Sequence, residues 1–270
     1  MGQCLRLSLY IIYVLFALHS YAYTVLQSEL GCDIFDHLIS YGDVKPVSPV
    51  GKDVVAALSP VFHKVLDHGH IPLTLGGDHS GTYSVFRAMA SHKGHAGPVV
   101  ILHLDAHPDL YENFEDNTDS HASPFARICE DKLCSKLISV GIRTLNCHQS
   151  EQASRYGVKI VEARHCPQSL EETATLLRSL IAPTDQVYIS LDLDVLDPAY
   201  APGVSHREPG GLSTRQALNF VQSCPGQVIG MDLVEYNHSR DVDGITAITV
   251  AKLVKELIGR AVVGPPPDCL

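Results

Sequence analysis

Two stretches constrain this chain more than any other. Residues 102–109 read Leu-His-Leu-Asp-Ala-His-Pro-Asp, and residues 189–194 read Ile-Ser-Leu-Asp-Leu-Asp. Each reads as a hydrophobic strand that ends in alternating metal-ligand side chains. Every second side chain of a strand points the same way, so Asp105, His107 and Asp109 lean to one side, and so do Asp192 and Asp194. Five such groups gathered from two strand ends cost a large electrostatic free energy unless a cation sits among them. The pattern predicts a metal centre, and a two-metal one.

The remaining sequence supplies a frame on which these ends meet. Apolar residues recur at helical spacing over Val50–His68, and Gly69 follows as a stop. Ile71–Leu75 reads as a short strand, residues 76–80 as a tight turn, and a helix follows through Phe86 and Met89. Val99–Leu104 reads as a buried strand, Ser123–Cys134 as a helix, Leu137–Ile142 and Val158–Glu162 as strands. Ser169 with Glu172 three residues on forms a capping box. Val187–Leu193 is a strand, Ser213 caps a helix through Phe220, Val228–Val234 is a strand, and Thr246–Arg260 is the last helix. This α/β alternation predicts a parallel sheet with helices on both faces. Ligands of such sheets bind beyond the carboxyl ends of the strands. His79, Asp105–Asp109, Asp192 with Asp194, and Glu235 all fall at such ends.

The expected organisation is an apolar leader over 1–24, one α/β domain over 25–263 and a Pro-rich tail over 264–270. Leu7–Leu18 is nearly all apolar, with Arg6 before it and Ser20-Tyr21-Ala22 after it. That pattern resembles a signal peptide over 1–22 and is short for a spanning helix of about 20 residues; a buried strand or an altered start are the other readings. A net charge of −10 argues against nucleic acid as a partner and is compatible with divalent metals and a cationic substrate. None of the eight cysteines falls in a C-x-x-C pair, so they read as scattered reduced thiols.

Histidine with four carboxylates is a hard ligand set suited to Mn²⁺ or another octahedral-leaning divalent ion. Asp105, Asp109, Asp192 and Asp194 carry four negative charges, which two divalent ions cancel. Two ions about 3.5–4 Å apart share a bridging water and lower its pKa toward about 7. His103, one step back from Asp105 on the same alternation, reads as a buried supporting group. Asp197, before Pro198, reads as a turn former, Asp78 as a support of its neighbours through backbone hydrogen bonds, and His206 as structural, with lining of the mouth as the other reading.

The motifs resemble those of the ureohydrolases, the arginase and agmatinase family. They are Leu-Gly-Gly-Asp-His-Ser (75–80), Leu-Asp-Ala-His-Pro-Asp (104–109), Ser-His-Ala-Ser-Pro-Phe-Ala-Arg (120–127) and Ser-Leu-Asp-Leu-Asp-Val-Leu-Asp-Pro (190–198). Ala-Pro-Gly-Val-Ser-His-Arg-Glu-Pro-Gly-Gly-Leu-Ser (201–213), Asp-Leu-Val-Glu-Tyr-Asn (232–237) and Asp-Gly-Ile-Thr-Ala (243–247) complete the set. The resemblance runs from about Tyr41 to about Gly259. It implies a three-layer α/β/α fold with a mostly parallel sheet, two Mn²⁺ per chain, and hydrolysis of a guanidinium group to urea and an amine. By motif position His79, Asp105, Asp109 and Asp192 would hold one ion, and Asp105, His107, Asp192 and Asp194 the other. His121 matches the acid/base histidine and Glu235 the carboxylate that pairs with the guanidinium. Asn113, in the loop 110–119, joins them as a substrate-binding candidate. The resemblance further implies a trimer or hexamer in cytosol or mitochondria. Two departures stand out: the leader replaces a Gly-rich, Arg-containing segment before Tyr41, and His238 stands where Pro is common.

Loop 110–119 bears on the substrate. Tyr111 stands where animal arginases have Asn, and Glu112, Glu115, Asp116 and Asp119 make the loop acidic. A negative loop repels an α-carboxylate and attracts a distal amine. The expectation is therefore agmatine, cleaved to putrescine and urea, with arginine or a guanidino acid as alternatives. The Ser-His-Ala-Ser form also resembles plant arginases and guanidino-acid hydrolases. Two readings of other kinds are a one-zinc deacetylase-like enzyme of the same fold and an inactive regulatory homologue.

Overall fold

Six strands carry the site: β1 (Leu73–Leu75), β2 (Val99–Leu104), β3 (Cys134–Ile142), β4 (Lys159–Glu162), β5 (Gln186–Asp192) and β6 (Gln227–Val234). In this computed structural model they pair in the order β1-β6-β5-β2-β3-β4, every pairing parallel. The structure describes residues 28–34, 37–48, 51–94 and 97–266. The leader and the end of the Pro-rich tail lie outside the described residues. No described helix is long and apolar enough to cross a membrane.

The helices are α1 (Gly51–Asp67), α2 (Ser80–Ala90), α3 (Pro124–Glu130), α4 (Cys147–Tyr156), α5 (Leu170–Leu180), α6 (Thr214–Gln222) and α7 (Ile245–Val263). The period-2 alternation of the central strands divides them into two layers. Val100, Leu102 and Leu104 of β2 and Val187, Ile189 and Leu191 of β5 pack with α5, α6 and α7. Val99 and Ile101 of β2 and Tyr188 of β5 pack on the opposite face with α1, α2, α3 and α4. The result is a three-layer α/β/α fold. His103 and Asp105 continue the Val99–Ile101 alternation, and Ser190 and Asp192 continue that of Tyr188, so these polar groups belong to the second face.

Chain order explains why they meet. From β2 the chain steps outward through β3 to β4, then returns to β5 on the other side of β2 and continues to β6. The direction of winding reverses between β2 and β5, and such a switch opens a crevice at the carboxyl ends of the two strands. Asp105 follows β2 and Asp192 ends β5. Glycine permits the close approach around them. Gly141 has φ 92°, and a Cβ there would lie 2.5 Å from Val195 Cγ2 and 3.0 Å from the Asp105 carbonyl oxygen.

Two elements differ from expectation. The helix expected over Ser123–Cys134 stops at Glu130. The amides of Lys132 and Leu133 donate to the carbonyls of Cys129 and Ile128, Lys132 turns to φ 54°, and Cys134 already pairs with Val99 as the start of β3. The periodicity gives no sign of α4, whose sequence is mostly polar. Its ends set it: Asn146 accepts from the Gln149 amide, and Gly157 at φ 66° closes it. The expected capping box at Ser169 with Glu172 is in place, and the expected cap at Ser213 proves to be a second capping box, with Gln216.

Candidate metal centre

His79, at the start of α2, reaches over the ends of β2 and β5. Its Nδ1 lies 3.1 Å from Asp105 Oδ2, 3.1 Å from Asp109 Oδ2 and 3.2 Å from Asp192 Oδ2. That nitrogen is buried and makes no directed hydrogen bond to any of them. On the other side, His107 Nδ1 lies 3.0 Å from Asp194 Oδ2 and 3.4 Å from Asp105 Oδ1. The Asp105 carboxylate thus presents one oxygen to each histidine. Adjacent ligands on an octahedral ion with bonds of about 2.1 Å stand about 3 Å apart. An orphaned lone pair facing three oxygens at that separation fits a divalent cation, as does the hard N/O donor set.

Surrounding groups hold these side chains still. Asp105 Oδ1 accepts from the His107 amide at 2.6 Å, Asp192 Oδ1 from the Asp194 amide at 2.8 Å, and Asp194 Oδ1 from the Ala106 amide at 3.1 Å. His103 Nε2 lies 2.8 Å from Asp105 Oδ2 and its Nδ1 3.1 Å from Ser139 Oγ, so both ring nitrogens are engaged. A second chain runs from His79 Nε2 to Ser190 Oγ (3.0 Å), and Ser190 donates to Asp232 Oδ1 (2.7 Å). Asp232 also accepts from Thr82 and Tyr188, each at 2.9 Å. Ser190 and Asp232 stood inside quoted motifs without a role; their period-2 spacing from Asp192 and Val234 is the signal that points to them. Asp78 and Asp197 form turns, accepting from Ser80 and from Ala199, Gly210 and Gly211.

The electrostatics are those of too much negative charge in too little water. Burial, with Asp194 and Asp105 alongside, drives the Asp192 carboxyl well up. Burial and Asp105 raise Asp194 to about 6. Burial alone would depress His79 and His107, but their carboxylate neighbours prevail, holding His79 well up and pushing His107 up to about 12. Among the protein's own groups, protons take the place of the missing positive charge. The nearby guanidinium of Arg143 does not supply it: its nitrogens donate to the carbonyls of Gly141, Asp194, Val195, Leu196 and Glu208.

Glu235 follows β6 with φ 65°, a strained conformation for a non-glycine residue, and its Oε1 accepts from the His79 amide at 3.0 Å. Burial and the charge of Asp78 raise its carboxyl to about 8. Asp109, at φ 49°, shares the left-handed conformation. His121 stacks on His206 with centroids 5.5 Å apart and planes 17° apart, and the His206 ring lies 6.0 Å from that of His107. His206 therefore bridges the two histidines at the mouth, the second of the two places its sequence position allowed. Asn113 is exposed in its loop, beside Phe114, whose ring is 5.9 Å from His121.

The family model described as the arginase family matches residues 19–259. The chain belongs to the arginase family. It is 51% identical over 190 residues to "Arginase 1, mitochondrial" of Oryza sativa subsp. indica, covering 70% of this chain and 55% of that one. It is 37% identical over 215 residues to "Guanidino acid hydrolase, mitochondrial" of Homo sapiens, covering 77% of this chain and 59% of that one. The solved structure of the arginase from Medicago truncatula superposes with a TM-score of 0.78 at 39% identity, over 92% of this chain and 80% of that one. The chain spans about half the length of the curated relatives it matches, 55% in the rice case. The identity is higher to the plant arginase than to the guanidino-acid hydrolase.

Proposed function

We propose that this arginase-family chain is a manganese-dependent ureohydrolase that cleaves arginine to ornithine and urea. The observation that carries the reading is Asp105, whose two carboxylate oxygens face His79 with Asp109 and Asp192 on one side and His107 with Asp194 on the other. We assign His79, Asp105, Asp109 and Asp192 to one ion and Asp105, His107, Asp192 and Asp194 to a second. Two divalent cations there would lower the pKa of water toward about 7 and so supply a nucleophile at neutral pH.

The side chains do the rest. Glu235 accepts the planar guanidinium through both carboxylate oxygens and turns its carbon toward the ligand cluster. A guanidinium stays charged in any protein setting, so it drives ionisation of a carboxyl that otherwise sits at about 8. His121, anchored by its stack on His206, delivers a proton to the departing amine nitrogen. Asn113 completes the substrate contacts from its loop.

Two observations support arginine over agmatine. The relatives of highest quoted identity carry the name arginase. The acidic loop is also less negative than its sequence: Glu112 is paired with Arg155, and Tyr111 is held aside by Asn146 and by stacking on His148 at 5.4 Å. The plant relative's name places that protein in mitochondria, and we propose the same compartment for this one. Urea release from arginine, agmatine and guanidinobutyrate by the purified chain with Mn²⁺ tests the assignment. Arginine is expected to turn over fastest; preference for agmatine overturns the substrate, and no urea from any of the three overturns the activity.

A further inference from the structure

Away from the metal centre, the Sγ atoms of Cys129 and Cys134 stand 3.7 Å apart, both partly exposed. Cys129 lies in the last turn of α3 and Cys134 opens β3. Their separation is held by the intervening turn. Lys132 and Leu133 donate to the carbonyls of Cys129 and Ile128. Asp131 accepts from Tyr83 and pairs with Arg87; Glu130 pairs with Arg127 and accepts from Tyr156. The two thiols are thereby kept facing one another, and a disulfide requires the sulfurs to close from 3.7 Å to roughly 2.05 Å.

We propose that Cys129 and Cys134 form a reversible redox pair, oxidised by a peroxide to an intramolecular disulfide and returned to thiols by a dithiol reductant. Cys134 is the first nucleophile: the hydrogen bond donated by Cys129 lowers its pKa, outweighing burial, while the same bond raises that of Cys129. The Cys134 thiolate attacks hydrogen peroxide, the O–O bond breaks, hydroxide leaves, and Cys134 becomes a sulfenic acid. Cys129 then attacks that sulfur as its thiolate, forming S–S and releasing hydroxide. The two thiol protons convert both hydroxides to water, so two thiols and one peroxide give one disulfide and two waters. The clamp would join α3 to β3. The rings of Phe125 on α3 and His103 lie 3.9 Å apart, and those of Phe125 and His79 5.2 Å apart, so the clamped helix is one that packs directly on the metal centre.

The chain carries its own assay. Arg127, Lys132 and Lys136 make trypsin release Ile128–Lys132 and Leu133–Lys136 as separate peptides, each with one cysteine. After brief treatment of the full chain with stoichiometric hydrogen peroxide and alkylation, mass spectrometry is expected to find these two peptides joined, and separated again by dithiothreitol. Exposed Cys147 serves as the internal control and is expected to stay alkylated. In Cys129→Ser the Cys134 sulfenic acid is expected to persist and to be trapped by dimedone, at least tenfold more than in the unsubstituted chain. Both peptides alkylated separately, sulfinic acid without a joined peptide, or linkage to another cysteine would each overturn the proposal.

Discussion

Two clusters of charge in this molecule are built on opposite plans. Where residues 28–34 meet α6 and α7, Glu29 accepts from Arg215 Nη1 and Nη2 at 2.7 and 2.9 Å and pairs with Lys252 at 2.9 Å. Lys252 also pairs with buried Glu256 at 2.6 Å, and Gln222 donates to both carboxylates. Two carboxylates meet two cations, and Glu29 is held far below the usual carboxylate range, Arg215 being the largest cause. At the carboxyl rim of the sheet, four aspartates meet only histidines, and Asp192 and Asp194 are driven up. A balanced cluster is neutralised by its own side chains; the unbalanced one carries the charge that the proposed ions would neutralise.

The sharpest way to break the contrast is Asp192→Asn. Urea release at saturating Mn²⁺ should fall by more than about 1000-fold, beyond the 10- to 100-fold typical of losing a group that merely supports a ligand. The metal-free variant should melt no lower than the unsubstituted chain, because the Asp192 carboxyl already holds a proton there and Asn is its neutral counterpart; a fall of several degrees would show the rim to be a structural ion-pair cluster. Glu256→Ala should do the opposite. It leaves Lys252 and Gln222 short of a buried partner and should cost about 3 kcal/mol in denaturant unfolding, with kcat unchanged.

Metal addition sharpens the comparison further. Mn²⁺ at 100 times its Kd should stabilise the chain by about 2.7 kcal/mol, which a chelator reverses. Binding near pH 7 should release protons, since His79, His107 and Asp192 hold protons that the ion displaces. Affinity should therefore rise with pH, and fall further below about 6 as Asp194 protonates; calorimetry in buffers of different ionisation enthalpy measures the release. Ser190→Ala, which removes the partner of His79 Nε2, should weaken Mn²⁺ binding by about 10- to 100-fold.

The smallest effect belongs to Glu29. Its folded pKa is depressed, so its stabilisation is full above the unfolded carboxylate pKa of about 4.3 and is lost as pH falls toward the folded value. Being partly exposed, the pair is worth no more than about 1 kcal/mol, and Glu29→Gln should remove that much of the acid dependence of Tm.

Much of the rim was legible from residue order. The strands β2 and β5 and the ligand-rich ends that follow them are contiguous in sequence, so period-2 alternation was enough to place Asp105, Asp192 and their neighbours on one face. Helix α4 was not legible, because its polar sequence is specified by Asn146 and Gly157 rather than by an apolar stripe. The end of α3 was misplaced because Cys134 gains more from pairing with Val99 than from continuing a helix. The acidic loop is read incompletely for a similar reason: a sequence counts the charge of Glu112 but not the Arg155 that pairs with it.

Local pattern by itself determined the donor types, their face of each strand and the strand ends on which they lie, because side-chain alternation is a property of adjacent residues. Only the tertiary structure decided what surrounds them. It brought Ser190 and Asp232 behind His79, stacked His206 on His121, and spent Arg143 on backbone carbonyls. Those contacts join residues tens of positions apart, and their energetics depend on burial and on the sign of every neighbouring charge, which are set when the layers close.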